Sequence, residues 1–350
     1  MAYRKSKGKL ARRSKKIEPA VKTFVYNYSV PANTLQNNTI CLSQCASLLN
    51  RRFYRQGINW AVGSIKVLSS GSTTGIIGIS KLPETWVMSN AWMKGFATWQ
   101  RMNDDALEET ESVKPRFLDY KIYADAIHHN AGFGANLLPT ADLVSGTPAI
   151  AGEWKPSKMV IPDTTLGATG GVQEREIIAV GSNYPGNGNS GLNAVSLIEG
   201  YAASRGLPAI SDPNTPDDAN DADGVSPENW LQATFNEGTQ QDADVLDTMA
   251  GITAENNIAP YPFENDGVNV DTMYPNGANQ LTGLQIHDAD TITGTTVGGI
   301  TRIKGGLFPC GLVRVDVQNT STDTSMGVNL LIELVPGHHR GYLCEPMTDM

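Results

Sequence analysis

Two groups of basic residues in this sequence have the type and spacing for a definite chemistry, the neutralisation of a polyanion. The first group lies in residues 1–22, where nine basic residues stand against one acid, Glu18, for a net charge of +8. The eight that precede Glu18 are Arg4, Lys5, Lys7, Lys9, Arg12, Arg13, Lys15 and Lys16. Each Lys or Arg that neutralises a phosphate releases condensed counterions, so such a segment binds nucleic acid without reading its sequence.

The same 22 residues predict a disordered arm, because like charges separated by Gly and Ser bury too little apolar surface to offset the entropy of ordering. A nuclear-localisation signal, a membrane-surface arm and a solubilising tail are other uses of this composition. We interpret the segment as a nucleic-acid-binding arm, since basic arms of this density most often serve that purpose. A nuclear address is compatible with that role.

The second basic group is Arg51, Arg52 and Arg55, which alternate with the aromatic residues Phe53 and Tyr54. Cations beside aromatic rings can hold phosphates while the rings stack on bases. The alternative is that both rings pack in the core while the arginines face solvent or acids of a neighbouring subunit. The sequence leaves these two interpretations open.

The rest of the chain is acidic, and its acids are concentrated in one stretch. The whole chain has a net charge of −9, so residues 23–350 carry −17. Between Arg205 and Arg302 there are 16 acids and no Lys or Arg. Because phosphate repels such a block, we predict that residues 206–280 face away from whatever the arm binds.

No motif predicts catalysis, and we expect the chain not to be an enzyme. The acid-rich residues 217–224 fail as an EF-hand loop, because Ala219 and Trp230 stand where ligands are required. The histidine pairs at 128–129 and 338–339 lack metal-site spacing, and we place the first pair in a loop. No cofactor is expected, with calcium at subunit contacts as the open alternative. Four cysteines without C-x-x-C spacing are predicted to be buried thiols: Cys41, Cys45, Cys310 and Cys344.

Alternation of apolar residues predicts a chain that is mainly β. The predicted strands lie at about 23–30, 58–69, 74–81, 116–124, 172–180, 283–292, 297–304, 310–318 and 327–335. The clearest helix runs from Pro83 or Ser89 to about Leu107, and shorter helices are predicted within 39–50 and 192–204. Apolar residues at helical spacing mark a packing face on the long helix: Met88, Trp92, Phe96, Trp99 and Met102. No apolar run reaches the length that spans a bilayer.

Eight or nine strands with long connections and few helices predict a single jelly-roll β-sandwich with one or two inserted helices. We divide the chain into an arm (1–22), the first part of the sandwich (23–205), an acidic outward-facing block (206–280) and the closing strands (281–350). Whether the acidic block is a protruding subdomain or a set of long loops stays open.

Two passages carry a resemblance to a known family. The sequence LPETWVMSNAWMKGFATWQRMND (82–104), followed by VKPRFLDYKIYADAIHH (113–129), resembles a region of the capsid proteins of circular Rep-encoding single-stranded DNA viruses, including bacilladnavirus-like ones. The resemblance covers about 50 residues closely and the rest by architecture. It implies that the arm lines a shell and holds the genome, while the 206–280 block is exterior.

These observations together predict a viral coat protein that self-assembles into an icosahedral shell and packages single-stranded DNA through its arm. The expected partners are copies of the same chain and the DNA genome, with no membrane. The expected locations are the virion and, during assembly, the host nucleus or cytoplasm. The alternative function is a carbohydrate-binding or carbohydrate-active β-sandwich with a basic targeting arm, for which Trp154 and Trp230 in loop-rich surroundings are the support.

Overall fold

The computed structural model describes residues 19–69, 72–108, 111–140, 146–162, 172–205, 283–294 and 299–349, and these residues are mainly β. The principal strands are β1 (Thr23–Val30), β2 (Leu35–Cys41), β3 (Ile58–Ser69), β4 (Gly75–Lys81), β5 (Lys158–Pro162), β6 (Val172–Ile178), β7 (Ala194–Ser196), β8 (Gln285–Ile292), β9 (Ile300–Phe308), β10 (Leu312–Asn319) and β11 (Met326–Leu334). Three short strands follow: β12 (Pro336–Gly337), β13 (Gly341–Tyr342) and β14 (Cys344–Pro346). The helices are α1 (Leu42–Asn50), α2 (Trp86–Ala106), α3 (Ala126–Ala131) and α4 (Leu197–Arg205).

Most strands belong to two antiparallel sheets. In the five-stranded sheet A, β11 lies between β1 and β3, and both β9 and β14 also pair with β3. The four-stranded sheet B has the order β2-β10-β4-β8. Strands β1 to β4 therefore alternate between the sheets, as do β8 to β11. Every pairing within the two sheets is antiparallel.

The two sheets face each other across one apolar core. Alternate residues of each strand point inward, as the period of a β-strand requires. Sheet A contributes the inward faces of β1, β3, β9 and β11, and sheet B contributes those of β2, β4, β8 and β10. Tyr26, Ile65 and Ile332 from sheet A and Ile79 and Val315 from sheet B are completely buried there. The arrangement is a β-sandwich in outline, with the core between its layers.

Strands β4 and β8 are neighbours in sheet B, yet residues 82–284 lie between them in the sequence. The described part of this insertion has its own core, formed by α2, α4, β6 and the segment 120–124. It also contains a three-stranded sheet of β5, β6 and β7. An ion pair fixes it to sheet B, where Arg314 Nη2 lies 2.6 Å from Asp125 Oδ1 and both side chains are buried.

The structure confirms eight of the nine predicted strands, with ends that differ by a few residues, and the three predicted helices. The apolar stripe of α2 is a packing face as expected. Met88, Trp92 and Trp99 are buried in the insertion core, while Phe96 and Met102 pack against it half-buried. The ring of Phe96 stacks on that of Trp92 with centroids 5.1 Å apart.

The predicted strand at 116–124 is wrong. The segment is extended but pairs with a strand only through a single bridge, between Tyr123 and Ile178. Tyr123 and Ala124 bond to the backbone of residues 177–180, but side chains bind other parts of the segment. The Gln56 amide accepts from Ile122 N at 2.6 Å and donates to Ile122 O at 3.1 Å. Ser157 Oγ accepts from Lys121 N at 2.9 Å. Alternation in this segment reflects burial against α2 rather than membership of a sheet.

Two further expectations need correction. His128 and His129 do not lie in a loop but in α3, which Asp125 caps by accepting a hydrogen bond from His128 N. Strand β2 was not predicted, because its sequence LQNNTIC is polar and includes two asparagines. Such a sequence suits an edge strand, and β2 is an edge of sheet B.

The arm residues 1–18 and the whole of the acidic block 206–280 lie outside the described residues, as do residues 281 and 282, so the predictions made for them stay predictions. None of the helices that the structure describes combines the length and apolar character needed to cross a membrane.

Candidate nucleic-acid interface

The described chain begins beside the second basic group. Val21 N donates a hydrogen bond of 2.9 Å to Asn50 Oδ1, at the last residue of α1. Tyr342 Oη donates to Val21 O at 2.5 Å and accepts from Asn50 Nδ2 at 2.7 Å. These three bonds fix the root of the arm next to Arg51 and Arg52, which follow Asn50 directly. The arm cations Arg4 to Lys16 lie beyond the described residues, but the point from which they extend is defined.

Two arginines at this end adopt the left-handed backbone conformation. Arg51 has φ 54° where α1 ends, and Arg340 has φ 49° in the turn before β13. Glycine is the usual residue at such positions, because a Cβ costs roughly 1–2 kcal/mol there. Arg340 also donates a hydrogen bond from Nη1 to Phe53 O, so it joins the second basic group. These two exposed cations are therefore held in a backbone conformation that lowers stability.

Replacing Arg51 by glycine is expected to separate the backbone strain at this position from the contribution of its charge to binding. The free energy of unfolding should rise by about 1 kcal/mol, because the strain at φ 54° is relieved. Affinity for a single-stranded oligonucleotide should fall, with the slope of log K against log salt smaller by about 0.7. Denaturant unfolding and salt titration of binding measure the two quantities. Asn33→Gly, at a positive-φ turn before β2, is the control and should leave binding unchanged. A loss of stability in Arg51→Gly would contradict this interpretation.

The two aromatic residues of the second basic group have different environments: Tyr54 packs in the core, as one of the two interpretations has it, whereas a stacking role for Phe53 stays a prediction. Tyr54 is completely buried, donates from Oη to Arg340 O at 3.0 Å and packs 5.5 Å from the Tyr342 ring. Phe53 is half-buried and faces outward among cations. The guanidinium of Arg55 lies 5.5 Å from the Phe53 ring centroid.

Phe53 belongs to a cluster of rings that the fold assembles from three segments. The Phe117 ring lies 5.3 Å from it and the Trp154 ring 6.5 Å. Lys121 Nζ lies 5.8 Å from the Phe53 ring and 4.8 Å from the Trp154 ring. We call Phe53, Phe117 and Trp154 the ring cluster. Cations over aromatic faces, with Arg116 also 5.5 Å from Phe117, give a surface that attracts phosphate and presents π-faces to bases.

We call Lys22, Arg51, Arg52, Arg55 and Arg340, together with the ring cluster, the basic end of the molecule. The arginines and Lys22 are exposed. No acid occurs in the sequence between Glu18 and Glu84. The part of the basic end that comes from residues 19–57 therefore carries no negative side chain. Sequence reasoning found Arg51, Arg52 and Arg55. It missed Arg340, Phe117 and Trp154, which lie outside the acid-free run from 19 to 83 and which no sequence signal joins to it.

One carboxylate lies beneath the basic end. Asp119 is 8% exposed, accepts from Gln56 N at 3.2 Å and has Lys121 Nζ at 3.9 Å. Burial raises the pKa of Asp119 to about 6, although Lys121 and the Gln56 N–H act in the opposite direction. The group is therefore ionised at neutral pH at a cost to the folded state.

This pKa gives a stability prediction with a definite sign. Because the folded pKa of Asp119 lies above its ordinary value of 3.8, the protonated group stabilises the fold below about pH 4. That contribution, about 3 kcal/mol for a shift of about two units, is lost as the pH rises through 6. Asp119→Asn should therefore show a smaller fall in the free energy of unfolding between pH 4 and pH 7, measured with denaturant at several pH values. An unchanged pH profile would contradict the assignment.

A second basic surface lies on the outer face of sheet A. Lys66 and Arg302 are directly opposite each other in the register of β3 and β9, and Lys304 is two residues further along. Acids lie near them as well: Glu333 Oε2 is 3.4 Å from Lys66 Nζ, and Asp288 Oδ2 accepts a hydrogen bond of 3.2 Å from Lys304 N. Like charges placed opposite each other destabilise a sheet. Arg302 and Lys304 are exposed, whereas the Arg314–Asp125 pair fixes the insertion to the opposite sheet of the sandwich.

The described residues hold no group of three or more His, Cys, Asp or Glu side chains that could bind a metal ion. Cys41, Cys45 and Cys310 are buried and Cys344 is half-buried, and all four are unpaired thiols. The two buried histidines of α3 have internal partners: His129 Nε2 lies 2.9 Å from Glu176 Oε2, and His128 Nε2 lies 2.8 Å from Asn136 Oδ1. Burial lowers the pKa of His128 to about 3, so that residue is uncharged at neutral pH. These contacts join α3 to its surroundings and are closed to solvent.

Comparison of the chain with protein-family models, curated proteins and solved structures found no match in any of the three.

Proposed function

We propose that this chain is a viral coat protein that assembles into a closed icosahedral shell and packages single-stranded DNA. The observation that carries the proposal is the junction at the basic end, where the root of a +8 arm meets a second set of exposed arginines. A continuous cationic region at one end of an otherwise acidic chain fits a protein that holds a polyphosphate on one side.

A single jelly roll is the fold proposed for the sandwich, and the strand order supports it. Four antiparallel pairs are nested along the chain: β1 with β11, β2 with β10, β3 with β9 and β4 with β8. A long hairpin that rolls up on itself produces such nesting, with alternate pairs in each of two sheets. Eight strands in two packed sheets is the jelly-roll arrangement. Its rigid edges suit the repeated, symmetric contacts of a shell.

The charge distribution supports packaging rather than turnover. Residues 1–22 carry +8, and a closed shell of about 60 copies would bring about 480 positive charges inward. Such a charge is balanced by packaged nucleic acid. Many arms bound to one strand multiply their individual affinities, so assembly and packaging reinforce each other. A protein with this function is located in the virion.

Electron microscopy of the purified chain tests the proposal. Uniform closed particles are expected, with nucleic acid inside that resists added nuclease until the particles are opened. Digestion of the released contents with DNase and RNase in parallel then identifies the polymer, and DNA is expected. Isolated monomers without nucleic acid would overturn the proposal and favour the carbohydrate-binding alternative. Open filaments or unclosed complexes on DNA would indicate a chromatin-type role instead.

A further inference from the structure

A cavity of about 940 Å³ opens beside the ring cluster. Its walls come from the C-terminal half of α2, from residues 115–121 and from residues 155–160. Phe117 belongs both to the cavity wall and to the ring cluster, 5.3 Å from Phe53. The cavity is therefore continuous with the basic end, and a polymer held there could place a side group in it.

The apolar part of the cavity suits a flat ring. Phe117 is 60% exposed, so much of its ring is accessible to a ligand. Arg116 and the edge of Phe53 orient this ring through contacts of 5.5 and 5.3 Å. Trp99 provides a second aromatic surface on the α2 wall. Stacking of one base on an aromatic side chain contributes roughly five- to 150-fold in affinity.

The polar part of the cavity suits the edge of a base and a phosphate. The Asp119 carboxylate and the Lys121 ammonium, 3.9 Å apart, offer an acceptor and a donor side by side. Base edges carry amino donors beside carbonyl or ring-nitrogen acceptors. At the rim, Lys158 is paired with Glu174 at 2.6 Å, whereas Lys155 is exposed and forms no ion pair with any acid that the structure describes. Lys155 is thus the rim cation that remains for a phosphate.

We propose that this cavity binds one unpaired nucleobase of the strand held by the basic end. The base stacks on Phe117, its edge meets Asp119 and Lys121, and the adjoining phosphate contacts Lys155. The inference rests on the proposed packaging function and adds a reason for the polymer to be single-stranded. A base within a duplex has neither a free face nor a free pairing edge, so it cannot enter.

Photocrosslinking of the full-length chain tests the site directly. A short oligonucleotide carrying 5-iododeoxyuridine is used as a single strand and as a duplex, and the adducts are located by mass spectrometry. The single strand is expected to form adducts on the peptides that contain Phe117 or Trp154 as well as on the arm. The duplex is expected to form adducts on the arm alone. Adducts confined to residues 1–18 for both forms would overturn the cavity site.

Phe117→Leu provides the second measurement, because it removes the ring from an exposed position and keeps an apolar side chain. Single-strand affinity is expected to fall roughly tenfold while duplex affinity is unchanged. Ile150→Ala, which shortens another exposed apolar residue, is the control and should change neither affinity. Equal losses for both forms, or no loss, would overturn the cavity site.

The two proposals fail in different ways. Particles that still protect nucleic acid in Phe117→Leu, with an unchanged preference for single strands, would remove the base site and leave the packaging function intact. A full-length chain that yields no adduct with either oligonucleotide and forms no particles would overturn both the base site and the packaging function.

Discussion

Removal of residues 2–16 is expected to abolish the co-purification of nucleic acid while the β-sandwich stays folded. The deletion takes away all eight cations that precede Glu18. For single strands the slope of log K against log salt is about −0.7 per neutralised phosphate, so the arm should contribute about −5.6 to it. The core should survive, because the deletion keeps the contacts of the described chain, including the packing of Ala20 and the hydrogen bond from Val21 N. The ratio of absorbance at 260 and 280 nm, a salt titration of binding and a circular dichroism spectrum measure these effects.

A charge variant of the described surface is the matched control for this deletion. Replacing Arg51, Arg52 and Arg55 by glutamine removes three cations and keeps the arm, so the salt slope should fall by about 2 and binding should be weakened but not lost. A truncated protein that retained the wild-type amount of nucleic acid would contradict the role given to the arm. If the triple variant lost binding as completely as the truncation, the main binding site would be the described surface and not the arm.

Replacing Arg314 by methionine is expected to lower the free energy of unfolding by about 3–5 kcal/mol. Arg314 and Asp125 form an ion pair of 2.6 Å with side-chain exposures of 3% and 0%. Burial raises the pKa of Asp125 and the arginine opposes that shift, so the carboxylate depends on its partner. The methionine variant leaves a buried charge without compensation. Since the pair joins sheet B to the insertion, particle assembly should fail together with stability.

Two further variants give this prediction its controls. Adding Asp125→Asn to Arg314→Met should recover part of the lost stability, because the uncompensated charge is removed, and a double-mutant cycle measures the coupling. Lys158→Met breaks a pair with Glu174 in which both side chains are 46% exposed, and it should cost less than about 1 kcal/mol. A cost below about 1 kcal/mol for Arg314→Met would show that the insertion does not depend on the pair.

The strands could be predicted where one face of the sheet is buried and the other is not. In β11, Val328, Leu330 and Ile332 alternate with polar or less buried residues, and the period of two gives the strand directly. The same pattern misled at 116–124, because burial under α2 produces alternation without a ladder. Strand β2 carries too few apolar residues to be recognised, since its partner β10 rather than its own sequence determines its conformation.

The candidate site could be predicted only where its residues are close in the sequence. Composition is sufficient to identify the arm, and Arg51, Arg52 and Arg55 are visible as one cluster. Phe117, Trp154 and Arg340 lie between 60 and 290 residues away along the chain, and only tertiary packing brings them to Phe53. Phe53 and Tyr54 differ in burial because of how α1 ends: the left-handed turn at Arg51 sets the direction of the next side chains.

We propose that the chain forms a closed shell in which the basic end faces a packaged polyphosphate. A cryo-electron microscopy reconstruction of the purified particle tests it most directly, since it gives the radius at which each residue lies. We expect a closed shell in which residues 19–22, Arg51 and Arg340 line the lumen next to density for nucleic acid. A shell with these residues on its outer surface, or a preparation with no enclosed compartment, would contradict it.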